Sequence, residues 1–168
     1  MHVRTLVLAV AGLLAAGGVR SAAAQEMLVV RKPTLTLAAA RVAVQAAEAE
    51  AARRGLGVVT VVVDASGTII QLSRMDAAQV GSVNVGIGKA RTAALFRRPS
   101  RVFEEQIANG RIAALALADA TPLQGGVPIV LGGTVVGAVG VSGDSPSVDE
   151  DIATAGVRAL ESTIASRH

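Results

Sequence analysis

The stretch VVTVVVDASGTIIQL, residues 58–72, decides the fold class of this 168-residue chain. Residues 58–63 are a β-branched run that is too apolar for an exposed edge strand. The turn at residues 64–67 follows, and residues 68–72 then complete a predicted β-hairpin. Because the two strands of a hairpin are antiparallel, this stretch argues against a doubly wound parallel sheet.

A second hairpin is predicted at PIVLGGTVVGAVGV, residues 128–141. Its strands are residues 128–131 and 134–141, and Gly132-Gly133 is a two-residue turn between them. Gly137 and Gly140 fall inside the second strand, where a glycine often marks the close approach of another backbone or of a ligand. We therefore expect this strand to lie in a crowded part of the sheet.

Helices are predicted around the hairpins from the spacing of apolar residues and from capping or stop residues, at 36–54, 82–97, 101–109 and 148–166. Residues 111–120 are rich in Ala and Leu, and their pattern is compatible with either a helix or a strand. The order is helix, hairpin, helices, hairpin, helix. It predicts an α+β fold with an antiparallel sheet flanked by helices.

The helix ends have their own signals. Thr34 or Thr36 is expected to cap the first helix, and Gly55 is expected to end it. Ser100 is the expected cap of the third helix. Ser147 and Glu150 have the spacing of a capping box, which predicts that the last helix begins after Ser147.

Residues 1–24 are predicted to be a secretory signal peptide. His2 and Arg4 give a short positive start, residues 6–18 are an unbroken apolar run, and Ala22-Ala23-Ala24 fits the rule for cleavage between Ala24 and Gln25. The run is too short to span a bilayer comfortably, so we expect no stable membrane anchor after processing. The mature chain, residues 25–168, is expected to be a single domain that is periplasmic or secreted.

The composition excludes several common kinds of catalytic and metal-binding site. Cysteine, tryptophan and tyrosine are absent, and the two histidines are His2 and His168. Disulfides, thiolate metal sites, a Ser-His-Asp triad and a poly-His metal site inside the fold are therefore excluded, and no metal site is expected. With two Phe and a formal net charge of +3, the chain has little to bind nucleic acid, and no such partner is expected.

Arg74, Met75 and Asp76 leave the first hairpin together and form the first candidate site. An arginine can clamp a carboxylate through two parallel hydrogen bonds, and Asp76 can act as an acid or a base. Met75 is a soft ligand candidate. The alternative is a structural pair of Arg74 with Asp76, with Met75 in the core.

Lys89 lies in the predicted second helix among small residues, with Thr92 three positions later on the same face. A partly buried lysine can serve as a base or as an anion contact. Asp149 opens the last helix and is a further catalytic candidate. The alternatives are a solvated lysine, and a carboxylate that only complements the helix dipole.

Two glycine-containing loops could present backbone N–H groups to an anionic group. They contain Gly125-Gly126 and Ser142-Gly143, which are the remaining ligand-binding candidates. The alternative is that these glycines only serve the geometry of turns.

Seven short motifs follow one another along the chain: LTLAAA at 35–40, VDASG at 63–67, RMDAA at 74–78, KARTA at 89–93, GGVPI at 125–129, VGAVGVSG at 136–143 and DE at 149–150. In this order and spacing they resemble the GlcG/HbpS-type haem-binding family, which also occurs as the C-terminal domain of PduO-type proteins. The resemblance covers residues 34–162.

The resemblance implies a sheet of about five antiparallel strands flanked by helices, assembly into homo-oligomers and binding of a small ligand. Haem is the best-known ligand of the family, and some relatives are linked to haem degradation or redox sensing. Relatives that hold haem can use a histidine as axial ligand, but the mature chain here has only His168. Haem would then depend on Met75, on a neutral Lys89, on a ligand from another subunit, or on apolar contacts and arginine–propionate pairing.

Two classes of function remain open, and the sequence does not decide whether the protein is an enzyme. The first is an exported protein that binds a small ligand, with haem as the candidate cofactor. The second is a small-molecule enzyme that transfers protons, of the lyase or isomerase type. It would use Arg74, Asp76, Lys89 and Asp149 around a pocket between the sheet and the helix at 82–97. A third alternative is that the protein has a purely structural role as a partner in an oligomer.

Overall fold

The structure is a computed structural model that describes residue 28 and residues 30–166. The predicted signal peptide, its cleavage position and His168 lie outside the described residues. A compact unit begins at Pro33 and contains the two hairpins and the helices around them. In the described part of the chain, no helix combines the length and the apolar character needed to cross a membrane.

The order of the elements confirms the predicted α+β class and both hairpins. Along the chain they are α1 (Leu37–Arg53), β1 (Val59–Asp64), β2 (Ile69–Arg74), α2 (Ser82–Leu95), α3 (Arg101–Ala108), a 3-10 helix (Ile112–Ala116), β3 (Gly126–Leu131), β4 (Thr134–Ser142) and α4 (Pro146–Ala165). The segment at 111–120, left open between helix and strand, contains the 3-10 helix.

All neighbouring strands of the sheet are antiparallel, in the order β2-β1-β4-β3. The sheet has four strands in the described residues, where the family resemblance implied about five. The two hairpins meet along β1 and β4, so that β2 and β3 are the edge strands. Each edge strand therefore has one side without a partner strand in this sheet.

Helices cover both faces of the sheet, and this explains why the run at 58–63 is valine at every position except Thr60. Val58 and Val62 belong to the core under α1 and α4, whereas Val59, Val61 and Val63 belong to the core under α2. Successive side chains of a strand point to opposite faces, so a strand buried on both faces has no polar side.

The prediction of a crowded second strand in the second hairpin is confirmed at Gly140. A side chain on Gly140 would collide with the backbone of α2 at Gly86 and Ala90. The absence of a side chain at Gly140 lets α2 lie directly on the sheet. Lys89 is part of α2, so its backbone is also held close to the sheet.

The ends of α1 are as predicted, but the start of α4 is not. The Thr36 side chain accepts a hydrogen bond from the Ala39 amide, and Gly55 has a φ of +72° directly after the helix. The capping box of Ser147 with Glu150 is wrong, because α4 begins at Pro146 after the cap residue Ser145. Proline fits the first helical position well, and it moves the start of the helix upstream of Ser147.

The expected role of Ser100 is also corrected. Ser100 is at the N-cap position of α3, as predicted, but its side chain makes no capping hydrogen bond to that helix. Its hydroxyl instead donates to the carbonyl of Leu123 at 2.6 Å and accepts from the amide of Gly126 at 2.8 Å. Ser100 therefore holds the loop that leads into β3.

Candidate functional site

A buried ion pair joins the helices on the two faces of the sheet. The ammonium Nζ of Lys89 donates to Oδ2 of Asp149 at 2.6 Å, and the two side chains are only 4% and 2% exposed. Lys89 comes from α2 and Asp149 from the first turn of α4. The sequence placed both residues among the catalytic candidates, and the structure brings them into direct contact.

The backbone at Gly125 lies directly against this pair. Gly125 has a φ of +125°, and a Cβ there would lie 2.9 Å from the Lys89 Nζ and 3.0 Å from the Asp149 Cβ. The second oxygen of Asp149, Oδ1, accepts the amide of Asp144 at 3.0 Å. Gly125 is thus required both by its positive φ and by the space that the ion pair occupies.

Burial dominates the electrostatics of Asp149. Removal from water raises the pKa of the Asp149 carboxyl above its usual value, whereas the hydrogen bonds from Lys89 and from the Asp144 amide lower it. A carboxylate in this position depends on its cation, because an unpaired buried charge is far more costly than a paired one.

The loop at 121–126 is tied down by hydrogen bonds on both of its sides. Thr92 accepts the amide of Thr121 at 2.7 Å and donates to the carbonyl of Gly88 at 2.8 Å. The Gly126 amide is bound by Ser100, so it is not free to hold an anion. Thr92 and Gly126, which the sequence indicated as ligand contacts, therefore have structural partners within the chain.

The sequence did not predict that Ser100 holds this loop through hydrogen bonds. A serine before a helix is normally assigned to the cap of that helix, and nothing local shows that its hydroxyl binds residues more than twenty positions later. The glycine pair at the end of this loop was a local signal, since a Cβ on Gly126 would lie 2.9 Å from the hydroxyl oxygen of Ser100.

Arg74, Met75 and Asp76 do not form a common site. Arg74 is exposed on the α2 side of the sheet, where it pairs with Val59, and Met75 packs half-buried against the core under α1 and α4. Asp76 is exposed in the following turn. No ion pair links Arg74 to Asp76 in residues 30–166, so the structural pair considered from sequence is not formed there.

The four residues of the proton-transfer hypothesis lie at opposite edges of the sheet. Arg74 and Asp76 belong to the end of β2, whereas the Lys89–Asp149 pair adjoins Gly125, just before β3. Three strand spacings separate these edges, a distance of about 14 Å. The structure therefore does not bring the four residues of the hypothesis into contact with one another.

Ser142 and Gly143 lie between these two edges, at the end of β4. Ser142 pairs with Val59, on the side away from Arg74, and is almost fully buried. A side chain on Gly143 would collide with the backbone of Gly57 and Val58. Gly143 is therefore required by close backbone packing.

A cavity that the sequence did not indicate lies between α1 and α4. Its volume is about 190 Å³, and its walls are mainly apolar, with two hydroxyl groups: Thr36, Ala38, Ala39, Val42, Leu160, Thr163 and Ile164. Ligand pockets for drug-sized molecules measure about 300–1,000 Å³. This cavity is therefore too small to enclose a ligand of that size.

Comparisons with known proteins agree with this architecture. The family model described as "Haem degrading protein HbpS-like" matches residues 35–158. Protein GlcG of Escherichia coli K12 is 41% identical over 99 residues, which are 59% of this chain and 74% of GlcG.

Two solved structures share the fold over most of the chain. A double mutant of Streptomyces reticuli HbpS has a TM-score of 0.74 and 30% identity, covering 91% of this chain and 99% of that one. The haem complex of PduOC has a TM-score of 0.69 and 25% identity, covering 76% and 95%. The haem in that crystal structure is a property of PduOC.

Proposed function

Because this chain belongs to the HbpS-like family of haem-degrading proteins, we propose that it is an exported protein that binds haem. The proposal concerns binding. Haem degradation and redox sensing stay predictions of the family resemblance.

The enclosure of the Lys89–Asp149 pair is the observation that favours binding over proton transfer. A general base must come within hydrogen-bond reach of the proton that it removes. Side chains that are 4% and 2% exposed, and already bound to each other, offer no such approach. The pair is better suited to hold α2 and α4 together than to act on a substrate.

The described residues fit the porphyrin better than they fit its iron. The chain has no Cys or Tyr, and both of its histidines are outside the described residues. Met75 packs against the core and Lys89 is bound to Asp149, so neither is free to ligate iron. Apolar surface and unpaired arginines are present, and these suit the ring and the propionates of haem. When bound, haem would supply redox chemistry at its iron.

The binding experiment is a haem titration of the purified protein, followed by its visible absorption spectrum. Saturable binding with one haem per chain is expected. Because no histidine is among the described residues and both Met75 and Lys89 are engaged within the chain, we expect a modest shift of the Soret band instead of the spectrum of histidine-ligated haem. The absence of saturable binding would refute the proposal.

Export and self-association are parts of the same proposal. The signal peptide predicts that protein isolated from the periplasm of a bacterial host begins at Gln25, which its intact mass would show. An unprocessed protein that stays in the cytoplasm would contradict this. The proposed homo-oligomer is supported by exposed apolar side chains such as Ile112 and Leu115, and light scattering of the purified protein would give its size.

A further inference from the structure

The edge strand β2 has an uncovered side that faces the same way as α2. Ile69, Leu72 and Arg74 pair with Val63, Val61 and Val59, so they share the face on which α2 packs. Ile69 is nevertheless 38% exposed and Leu72 37% exposed, because α2 lies over β1, β3 and β4. These three side chains form an apolar strip that ends in a cation.

α2 borders this strip at its other end. Leu95 and Arg91 lie against Gly67 in the hairpin turn, and the Arg91 Nε donates to the Gly67 carbonyl at 3.1 Å. Leu95 is 41% exposed. We call the surface formed by Ile69, Leu72, Arg74, Arg91 and Leu95 the β2 shelf.

The charge of the β2 shelf is positive. Neither Arg74 nor Arg91 forms an ion pair with a carboxylate in residues 30–166. None of the five shelf residues is acidic. Asp64, the last residue of β1, uses its Oδ1 to accept the amides of Ser66 and Thr68 in the adjacent turn. Apolar side chains between two unpaired guanidinium groups complement a flat, apolar ligand that carries carboxylates.

We propose that the β2 shelf is the porphyrin-binding surface of this protein, with the ring lying on Ile69, Leu72 and Leu95 and a propionate paired with Arg74. This inference rests on the proposed haem binding. The shelf contains no side chain that ligates iron, so the ring and its carboxylates provide the affinity. Metal-free protoporphyrin IX should therefore bind about as well as haem.

Fluorescence titration with protoporphyrin IX tests the surface directly, because the metal-free porphyrin is itself fluorescent and its emission reports the change of environment on binding. Arg74→Gln should raise the Kd about tenfold, the size expected for losing one charge-assisted hydrogen bond at a partly exposed site. Leu72→Ser should raise it severalfold through lost apolar contact. The dimethyl ester of the porphyrin should bind the unaltered protein more weakly than protoporphyrin IX does. Its Kd should be the same for Arg74→Gln and for the unaltered protein.

Matched controls come from surfaces away from the shelf. Arg158→Gln removes an exposed cation of α4, on the other face of the sheet, and Val130→Ser removes an aliphatic side chain of similar exposure from the opposite edge strand. Both controls should leave the Kd unchanged. Circular dichroism of each variant reports whether the fold is intact.

The outcomes separate the inference from the function on which it rests. If the unaltered protein binds neither haem nor protoporphyrin IX, the proposed function fails. If it binds them but Arg74→Gln and Leu72→Ser bind equally well, the function stands and the shelf is wrong. If Leu72→Ser instead lowers the mass measured by light scattering without changing the Kd, the shelf is a contact between copies of the chain, and the inference is overturned.

Discussion

Replacing Lys89 by methionine should lower the free energy of unfolding by about 3–4 kcal/mol at neutral pH, because it leaves the Asp149 carboxylate buried without its cation. Asp149 is 2% exposed and its hydrogen bond with Lys89 measures 2.6 Å, so water does not replace the lost ammonium. The amide of Asp144 still donates to Oδ1, which keeps the loss below the upper end of the range for broken buried pairs.

The loss should depend on pH. Burial already raises the pKa of Asp149, and the substitution removes the influence of Lys89 that lowers it, so the pKa of Asp149 in the folded variant rises further. A folded pKa above the unfolded one stabilises the fold below the unfolded pKa, and this contribution disappears as the pH rises through the folded pKa. The deficit of Lys89→Met should therefore be smaller at about pH 5 than at about pH 7.

Urea unfolding followed by circular dichroism measures this effect, since the chain has no Trp for fluorescence. The double variant Lys89→Met/Asp149→Asn carries no buried charge at these positions and keeps an acceptor for the Asp144 amide, so it should recover most of the lost stability. A deficit below about 1 kcal/mol for Lys89→Met, or a double variant as unstable as the sum of the single ones, would refute the reasoning.

Three further predictions concern single positions. Gly125→Ala should lower the melting temperature by several degrees, because φ is +125° and the new Cβ would contact the Lys89 ammonium; an unchanged melting temperature would contradict this. Thr60→Val should raise the free energy of unfolding by about 1 kcal/mol, since Thr60 is fully buried and its hydroxyl has no hydrogen-bond partner; a loss of stability in urea would show that the hydroxyl is satisfied. Hydrogen bonds from Arg53 and Arg54 lower the pKa of Glu50 to about 2, so its side-chain carboxyl resonance should titrate near that pH and any stabilisation should vanish as the pH falls through it; a midpoint near 4.5 would disprove the pairing.

The sequence alone predicted the two hairpins and the four helices, because each depends on residues that are close along the chain. The turn at residues 64–67 and the pair Gly132-Gly133 favour hairpins by their own backbone preferences, and Thr36 and Gly55 mark the ends of α1. The start of α4 was mistaken because two serines compete for the cap there, and Pro146 decides in favour of Ser145.

For the site, the sequence predicted which residues carry chemical groups but not which of them are in contact. Lys89 and Asp149 were singled out separately, but their contact joins residues 60 positions apart and follows from the order of the strands and from the packing of two helices. The same order sends Arg74 and Asp76 to the opposite edge of the sheet, which sequence spacing could not show.

Local sequence therefore determined which segments are helices and which are strands, since backbone preference and turn chemistry act over a few residues. Only the tertiary structure decided that Lys89 is bound to Asp149, that Ser100 holds the loop before β3, and that Ile69 and Leu72 are uncovered. The physical reason is that burial and charge pairing depend on which distant surfaces meet, and the antiparallel order β2-β1-β4-β3 settles this.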